Sequence, residues 1–394
     1  MMYQISNLKG GERMSLQFVI GGSGAGKTYQ LYKNVIESSL KGPKGKYLIL
    51  VPEQFTLQTQ KDLVTMHPKK GIHNIDILSF LRLAYRIFEE TGGNDRLVLE
   101  DTGKSMIVKK VMMEKRKDLI LFGANVKKQG FIEEMKSIIS ELAQYSIHSE
   151  ELQRMKEVAN GKPLLNHKLT DIMTIYQAYE EFLRDKYINS EEILDLLCDV
   201  IEDSSLVNDS DIFLDGFTGF TPSQYKLLSH LMKKAKSVTI TITMEESQIN
   251  RKQEEHQLFY LSGKMMEKLT DLAITERIEI KQPILVAKEN GGYSYRFHNS
   301  MALSALEKNI FRYPYKPYRK EQEDVTITVA KDPMAEARHA VIEITRLLRE
   351  EQYRYKDIAI VSGAIEVYGD IVKRELELAG IPCFVDHKKN ILAN

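Results

Sequence analysis

The run Ser15 to Ile20, SLQFVI, is apolar enough for a buried strand, and Gly21 to Thr28 break it before the helical spacing of Tyr29 to Leu40 begins. A polar turn at 41–46 leads to a second strand at Tyr47 to Val51, and β and helical signals alternate through Ile75 to Phe80. Strands alternating with helices predict an α/β fold with a parallel sheet. Beyond Gly92-Gly93 the period changes. Glu100 to Lys115, Phe131 to Tyr145, Leu169 to Lys186 and Glu191 to Ile201 all space their apolar residues by three and four, which predicts an all-helical block. Its stripe of Ile107, Val111, Ile132, Met135, Ile138 and Ile139 reads as helix-bundle core. Strand character returns at Asp211 to Asp215 and Val238 to Thr243, with Pro222 to Lys236 helical between them, so the helical block reads as an insertion and two chain segments complete one sheet.

A second boundary falls at Tyr313 to Asp324, where Pro314, Pro317 and a charge run precede a new strand, Val325 to Ala330. A helix (Ala335 to Glu350), a strand (Ile358 to Val361), a helix (Tyr368 to Ala379) and a strand (Pro382 to Val385) follow. That is too little to close a sheet of ordinary size, so the chain is expected to be a fragment of something longer.

A length of 394 residues argues for two or three domains. With 55 Lys plus Arg against 55 Asp plus Glu, any affinity for nucleic acid must come from local patches. No apolar run approaches the roughly 20 residues of a membrane span. Cys198 and Cys383 stand outside any CxxC or Cys/His cluster, which fits a reducing cytoplasm and predicts two free thiols and no zinc site. His67, His73 and His148 lack metal-ligand spacing and receive no role. Residues 1–13 have neither a signal-peptide core nor a helical period and are expected to be a non-native or disordered extension. Gly10-Gly11-Glu12 reads as a translated purine-rich ribosome-binding site.

Gly21-Gly22-Ser23-Gly24-Ala25-Gly26-Lys27-Thr28 satisfies G-x-x-x-x-G-K-S/T between a strand and a helix, the context of a Walker A loop. Its glycines let successive N–H groups turn toward phosphate, and the helix N-terminus adds its positive end. Lys27 would reach the β and γ phosphates of ATP, and the Thr28 hydroxyl would ligate Mg²⁺. Asp215, ending the strand Ile212-Phe213-Leu214, is the candidate second Mg²⁺ residue, with a turn cap on Gly216 to Thr221 as the alternative. The next residue is Gly216, where a water-orienting carboxylate would be expected. Between Lys308 and Lys320, Arg312, Lys316 and Arg319 interleave with Phe311, Tyr313, Tyr315 and Tyr318. That composition suits single-stranded nucleic acid, Arg312, Tyr315, Lys316, Tyr318 and Arg319 being the candidates, although an ordinary interdomain linker is the favoured reading.

These residues resemble a known family, the AddB-type subunit of the bacterial ATP-dependent helicase/deoxyribonuclease that processes broken DNA ends for recombination. The resemblance runs from Met14 over the chain and rests on GGSGAGKT, VPEQFTLQTQ, IDILSFLRLAYRIF, IFLDGFTGFTPSQYKLL, YRYKDIAIVSG and IPCFVDHKKNI. It implies a P-loop RecA-like helicase domain with an all-helical insertion, followed by the start of a second RecA-like domain. The boundaries are then 14–95 and 205–312 for the first domain, 96–204 for the insertion, 313–324 for a linker and 325–394 for the partial second domain. It also implies ATP, Mg²⁺, DNA as single strands and duplex ends, and an AddA-type motor subunit as partners in the cytoplasm. The family's nuclease and iron-sulfur cluster belong to a C-terminal part outside this chain.

Active helicases of the superfamily read roughly DEFQDTNxxQ where this chain has Asp215-Gly216-Phe217-Thr218-Gly219-Phe220-Thr221-Pro222-Ser223-Gln224. Asp215 and Gln224 match, which makes Gln224 a nucleotide-sensing candidate; the acidic residues between them are absent. After Ile358 to Val361, Ser362-Gly363 stand where an arginine usually meets the γ-phosphate. Poor hydrolysis by this chain is the expectation. A free-standing P-loop ATPase or kinase, or a structural subunit whose loop no longer binds nucleotide, are the alternatives. The native start is expected at Met14; N-terminal sequencing of the natively expressed protein tests this, and a return of Met1 would refute it.

Overall fold

The structure, a computed structural model, describes residues 14–92, 96–145, 147, 149–158, 161–184, 186–189, 192–249, 251, 253–286 and 295–385. The expected N-terminal extension, His148 and the end of the IPCFVDHKKNI phrase lie outside them. The chain divides into two compact units, Met1–Tyr318 and Arg319–Asn394.

In the first unit, β1 (Ser15–Gly21), β2 (Tyr47–Leu50), β3 (Ile75–Leu78), β6 (Asp211–Leu214), β7 (Ser237–Thr243) and β8 (Glu279–Ile280) form one sheet in the order β3-β2-β6-β7-β1-β8. A short β9 (Ile284–Leu285) also pairs with β1, and every pairing is parallel. β6 inserts between β2 and β7, so residues from both sides of the helical block share this sheet.

Both faces are covered, and the period-two alternation of the strands sorts their side chains between two cores. Leu16, Phe18, Ile20, Leu48, Leu50, Ile212 and Leu214 point to one face. There they meet α3 (Phe80–Thr91), α8 (Ile193–Val200), α9 (Pro222–Lys234) and α10 (Tyr260–Thr275). Val19, Tyr47, Ile49 and Phe213 point to the other, against α1 (Lys27–Lys41) and α2 (Thr56–Met66). The connection from β1 through α1 runs to β2, and that from β7 through α10 runs the opposite way to β8. The carboxyl ends of the neighbouring strands β1 and β7 therefore flank the point where connections diverge, the place where open α/β sheets hold ligands.

The block between β3 and β6 contains α4 (Asp101–Glu114), α5 (Gln129–Gln144), α6 (Ser149–Val158) and α7 (Pro163–Leu183), packed on a core of their own around Ile107, Val111, Ile132, Met135, Ile175 and Tyr179. Buried Asp171 on α7 pins the loop after α4, its carboxylate accepting the N–H groups of Ile120, Leu121 and Phe122 at 2.8–2.9 Å. The all-helical expectation needs correction. β4 (Leu97–Leu99) and β5 (Tyr187–Asn189) form a two-stranded parallel ladder where the chain enters and leaves the block. α8 belongs to the core of the α/β sheet and not to the helical core. Three-residue strands leave no readable period, and the helical spacing of α8 is the same whichever core it faces.

The second unit holds α12 (Pro333–Glu350) and α13 (Ile365–Leu378), with a small core of Ile344, Leu376 and Ile381; α11 (Met301–Asn309) belongs to the first unit. The three strands expected at Val325 to Ala330, Ile358 to Val361 and Pro382 to Val385 do not form. Apolar alternation makes a strand only when a neighbour takes its N–H and C=O groups. Here Ile327, Val329, Val361 and Phe384 are 90–94% exposed instead.

The neck of the helical block has a second tie. At the end of α3 the Glu90 carboxylate accepts the Ser204 hydroxyl at 2.8 Å and the Ser205 N–H at 2.7 Å. The Ser205 and Ser204 bonds hold its pKa down to about 2. Because that value lies below the one expected in an unfolded chain, the stabilisation is complete above about pH 5 and is lost as pH falls toward about 2. The side chain is exposed, so solvent screening limits the effect to about 1 kcal/mol. Denaturant unfolding at pH 7 and pH 3 should show Glu90→Ala losing about 1 kcal/mol less than the parent over that interval; equal losses would refute the assignment.

Candidate functional site

β1 ends at Gly21 and α1 starts at Lys27, so the glycine turn stands at the carboxyl end of the central strand. Gly24 and Gly26 have φ of +70° and +97°. These are left-handed conformations that would cost an L side chain about 1–2 kcal/mol, which is why the chain places glycine at both. The turn is braced by the Ala25 N–H on the Gly22 carbonyl at 3.3 Å and by the Met244 N–H, just past β7, on the Gly21 carbonyl at 3.1 Å. Gly26, at the N-cap of α1, has no side chain with which to cap the first N–H groups.

Lys27 folds back over the turn, its Nζ donating to the Gly22 carbonyl at 2.9 Å. Burial pushes its pKa below the ordinary lysine value; the charge of Asp215 works against that, and the charge of Arg296 adds to it. Asp215 follows β6 and is buried. Its Oδ1 accepts the Thr241 hydroxyl of β7 at 2.7 Å, and its N–H extends the ladder to the Leu50 carbonyl at 3.1 Å. The structure thus brings Lys27 and Asp215 close enough for their charges to interact, at the divergence point of the sheet.

Sequence reading missed Thr241 and the segment Tyr295–Phe297. Thr241 sits in the alternation TITIT with nothing local to mark it. The Arg296 N–H donates to the Gly24 carbonyl at 3.1 Å. A Cβ on Gly24 would stand 2.7 Å from the Arg296 Cβ and 3.3 Å from the Phe297 ring, so this segment lies directly on the turn. Glu307 of α11 is also near, with Oε1 3.7 Å from where a Gly22 Cβ would be.

Other candidates are engaged elsewhere. The Gln224 side chain accepts the Thr221 N–H at 2.9 Å, and its own backbone N–H meets the Thr221 hydroxyl at 3.3 Å, a reciprocal cap on α9. Arg312 pairs with Glu245 at 2.8 Å and Glu307 at 3.8 Å and lies over the Phe259 ring. This half-buried ion pair makes it a structural anchor. Tyr315, Lys316, Tyr318 and Arg319 are exposed, as is Tyr313 at 95%. The loop after Asp215 is drawn into an aromatic cluster, with Phe217 and Phe220 packed on Phe80 at ring separations of 5.4 and 6.1 Å and Phe220 on Tyr225 at 5.5 Å. Nearby, Glu53 accepts the Ser79 hydroxyl and the Arg82 Nε–H, the latter at 2.8 Å. Cys198 is buried and Cys383 exposed, both free thiols.

Fold and turn together define an α/β protein built on a parallel sheet, with a glycine turn, a lysine and a buried aspartate at its carboxyl end. The family described as "ADDB, N-terminal" matches residues 18–307, and the chain belongs to that family. It is 91% identical over 381 residues, 97% of its length, to an ATP-dependent helicase/deoxyribonuclease subunit of Lachnoclostridium phytofermentans, of which it covers 33%. It is 33% identical over 377 residues to the protein of the same name in Clostridium tetani, 95% of this chain and 32% of that one. It is 35% identical over 381 residues to that of Caldanaerobacter subterraneus, 97% of this chain and 32% of that one. The chain therefore spans about a third of the length of these relatives.

Gly216 has φ +79°, and a Cβ there would meet only ordinary contacts, Pro52 at 3.6 Å and Phe55 at 3.7 Å. The obstacle to a side chain is therefore the backbone. Gly216→Ala and Gly216→Glu should each lose about 1–2 kcal/mol of stability in denaturant unfolding; a parental midpoint in both would refute this.

Proposed function

We propose that this chain is the ATP-binding, DNA-binding, helicase-like portion of an AddB-type subunit, acting within a helicase/deoxyribonuclease that processes double-strand DNA breaks for recombinational repair. Membership of the AddB family supports the assembly and the DNA substrate. Its relatives are named as one subunit of such an enzyme, which implies a partner, and an AddA-type motor is the partner proposed. The nucleotide part rests on one observation: Lys27 and Asp215 face each other beside an uncapped helix start where the connections of a parallel sheet diverge.

The site fits a nucleotide in its donor set. The loop N–H groups of Gly21, Gly22, Ser23, Gly24, Ala25 and Gly26 together with Lys27 would hold the phosphates, and Thr28 and Asp215 would hold Mg²⁺. When bound, the metal neutralises phosphate charge. The Thr241 bond fixes the rotamer of Asp215, so that carboxylate is oriented before any ligand arrives. A RecA-like reading of the sheet accords with this placement.

Turnover is a separate matter. The residue after Asp215 is a left-handed glycine, the loop beyond it is held by Phe80, and an arginine is missing at Ser362-Gly363. Losing a charge-stabilising arginine alone costs about 10³ to 10⁵ in rate in related P-loop enzymes. Bound nucleotide would then be a structural or regulatory ligand.

By calorimetry, Lys27→Ala should weaken Mg-ATP binding severalfold or more, and equal affinities would refute the site. Steady-state hydrolysis by the chain, with or without single-stranded DNA, should stay near background. Turnover of about 1 s⁻¹ or faster, abolished by Lys27→Ala, would overturn the non-hydrolytic reading.

A further inference from the structure

We propose that Arg296 is a second phosphate-binding cation of the glycine turn, acting beside Lys27 on the polyphosphate tail of a nucleoside triphosphate. The inference rests on the nucleotide reading above and extends it to a residue far away in sequence.

Arg296 is fixed to the turn at two points. Its N–H donates to the Gly24 carbonyl at 3.1 Å, and its Cβ lies where a side chain on Gly24 would have to be. Gly24, at φ +70°, is the left-handed residue of the turn's middle, so the contact is made possible by the residue that also shapes the loop. The guanidinium belongs to the same neighbourhood as the Lys27 ammonium, since the two charges repel each other across the turn.

Two cations beside one carboxylate, Asp215, leave the turn with an excess of positive charge. Glu307, whose carboxylate approaches Gly22, offsets little of it, because Arg312 already stands 3.8 Å from that carboxylate. A triphosphate is the chemical class that matches: several negative charges in a row, presented to N–H groups and to a planar fork able to take two oxygens at once. A purely structural Arg296 would need only its backbone and stem on Gly24, and the charge would be dispensable.

Arg296→Met keeps the stem and removes the charge; Arg296→Lys keeps the charge and removes the fork. Calorimetry with Mg-ATP, Mg-ADP and AMP on the parent, both variants and Lys27→Ala separates the roles. The Met variant should bind Mg-ATP roughly ten- to hundredfold more weakly, the value of one charge-assisted contact, with Lys intermediate and a smaller loss for AMP. Its unfolding midpoint without nucleotide should equal the parent's, which excludes a folding defect. Parental Mg-ATP affinity in Arg296→Met would overturn this inference alone. A parent that binds none of the three nucleotides would overturn the nucleotide reading and this one with it.

Discussion

A buried ammonium must find a counter-charge, and at the carboxyl end of this sheet Lys27 finds it in Asp215. That requirement organises the surroundings. Asp215 can stay in place beneath the surface only because Thr241, one strand over, donates to it at 2.7 Å. Thr241 is opposite because β6 and β7 run parallel with Leu214 across from Ile240. β6 in turn reaches its place between β2 and β7 only after the chain has left the sheet, built a separate helical core and returned. The β4–β5 ladder and the Glu90 tie to Ser204 and Ser205 close the neck of that excursion.

The same end of the sheet shows why position 216 is glycine. An aspartate that ends a strand and turns at once into a left-handed residue sends the chain toward Phe80, where Phe217 and Phe220 bury part of their rings. A glutamate at 216 would need both a costly backbone and a loop released from that cluster. Conformation and packing thus exclude the acidic residue jointly. Restoring the residue alone would not restore a water-orienting geometry.

What was legible in the sequence follows from range. The strand, glycine turn and helix around 15–41 are local, and the pattern of apolar and glycine positions carried them nearly to the residue. Asp215 was legible because strand and turn meet at it. Thr241 and Arg296 were not, because each acts on a residue brought near only by the fold. Gln224 and Arg312 misled for the opposite reason: their residue types suit nucleotide or DNA, but a helix cap and a pair of glutamates engage them. In the 319–394 unit the alternation was real at Ile327 and Val329, yet periodicity states only which way side chains face and cannot supply the neighbouring strand.

Charge placement links the turn to its surroundings. The chain is neutral overall, with 55 basic and 55 acidic residues, so any anion must be gathered by local arrangement. Around the glycine turn, Glu245 and Glu307 are drawn to Arg312, a side chain held half-buried over Phe259, and that pairing ties up carboxylates that would otherwise oppose a phosphate. An arginine read from composition as a nucleic-acid contact therefore serves the turn indirectly, by keeping acidic neighbours occupied. Lys27 and Arg296 are left as the cations nearest the glycines, and the electrostatic character of the site is set by which carboxylates are already paired as much as by the residues of the motif.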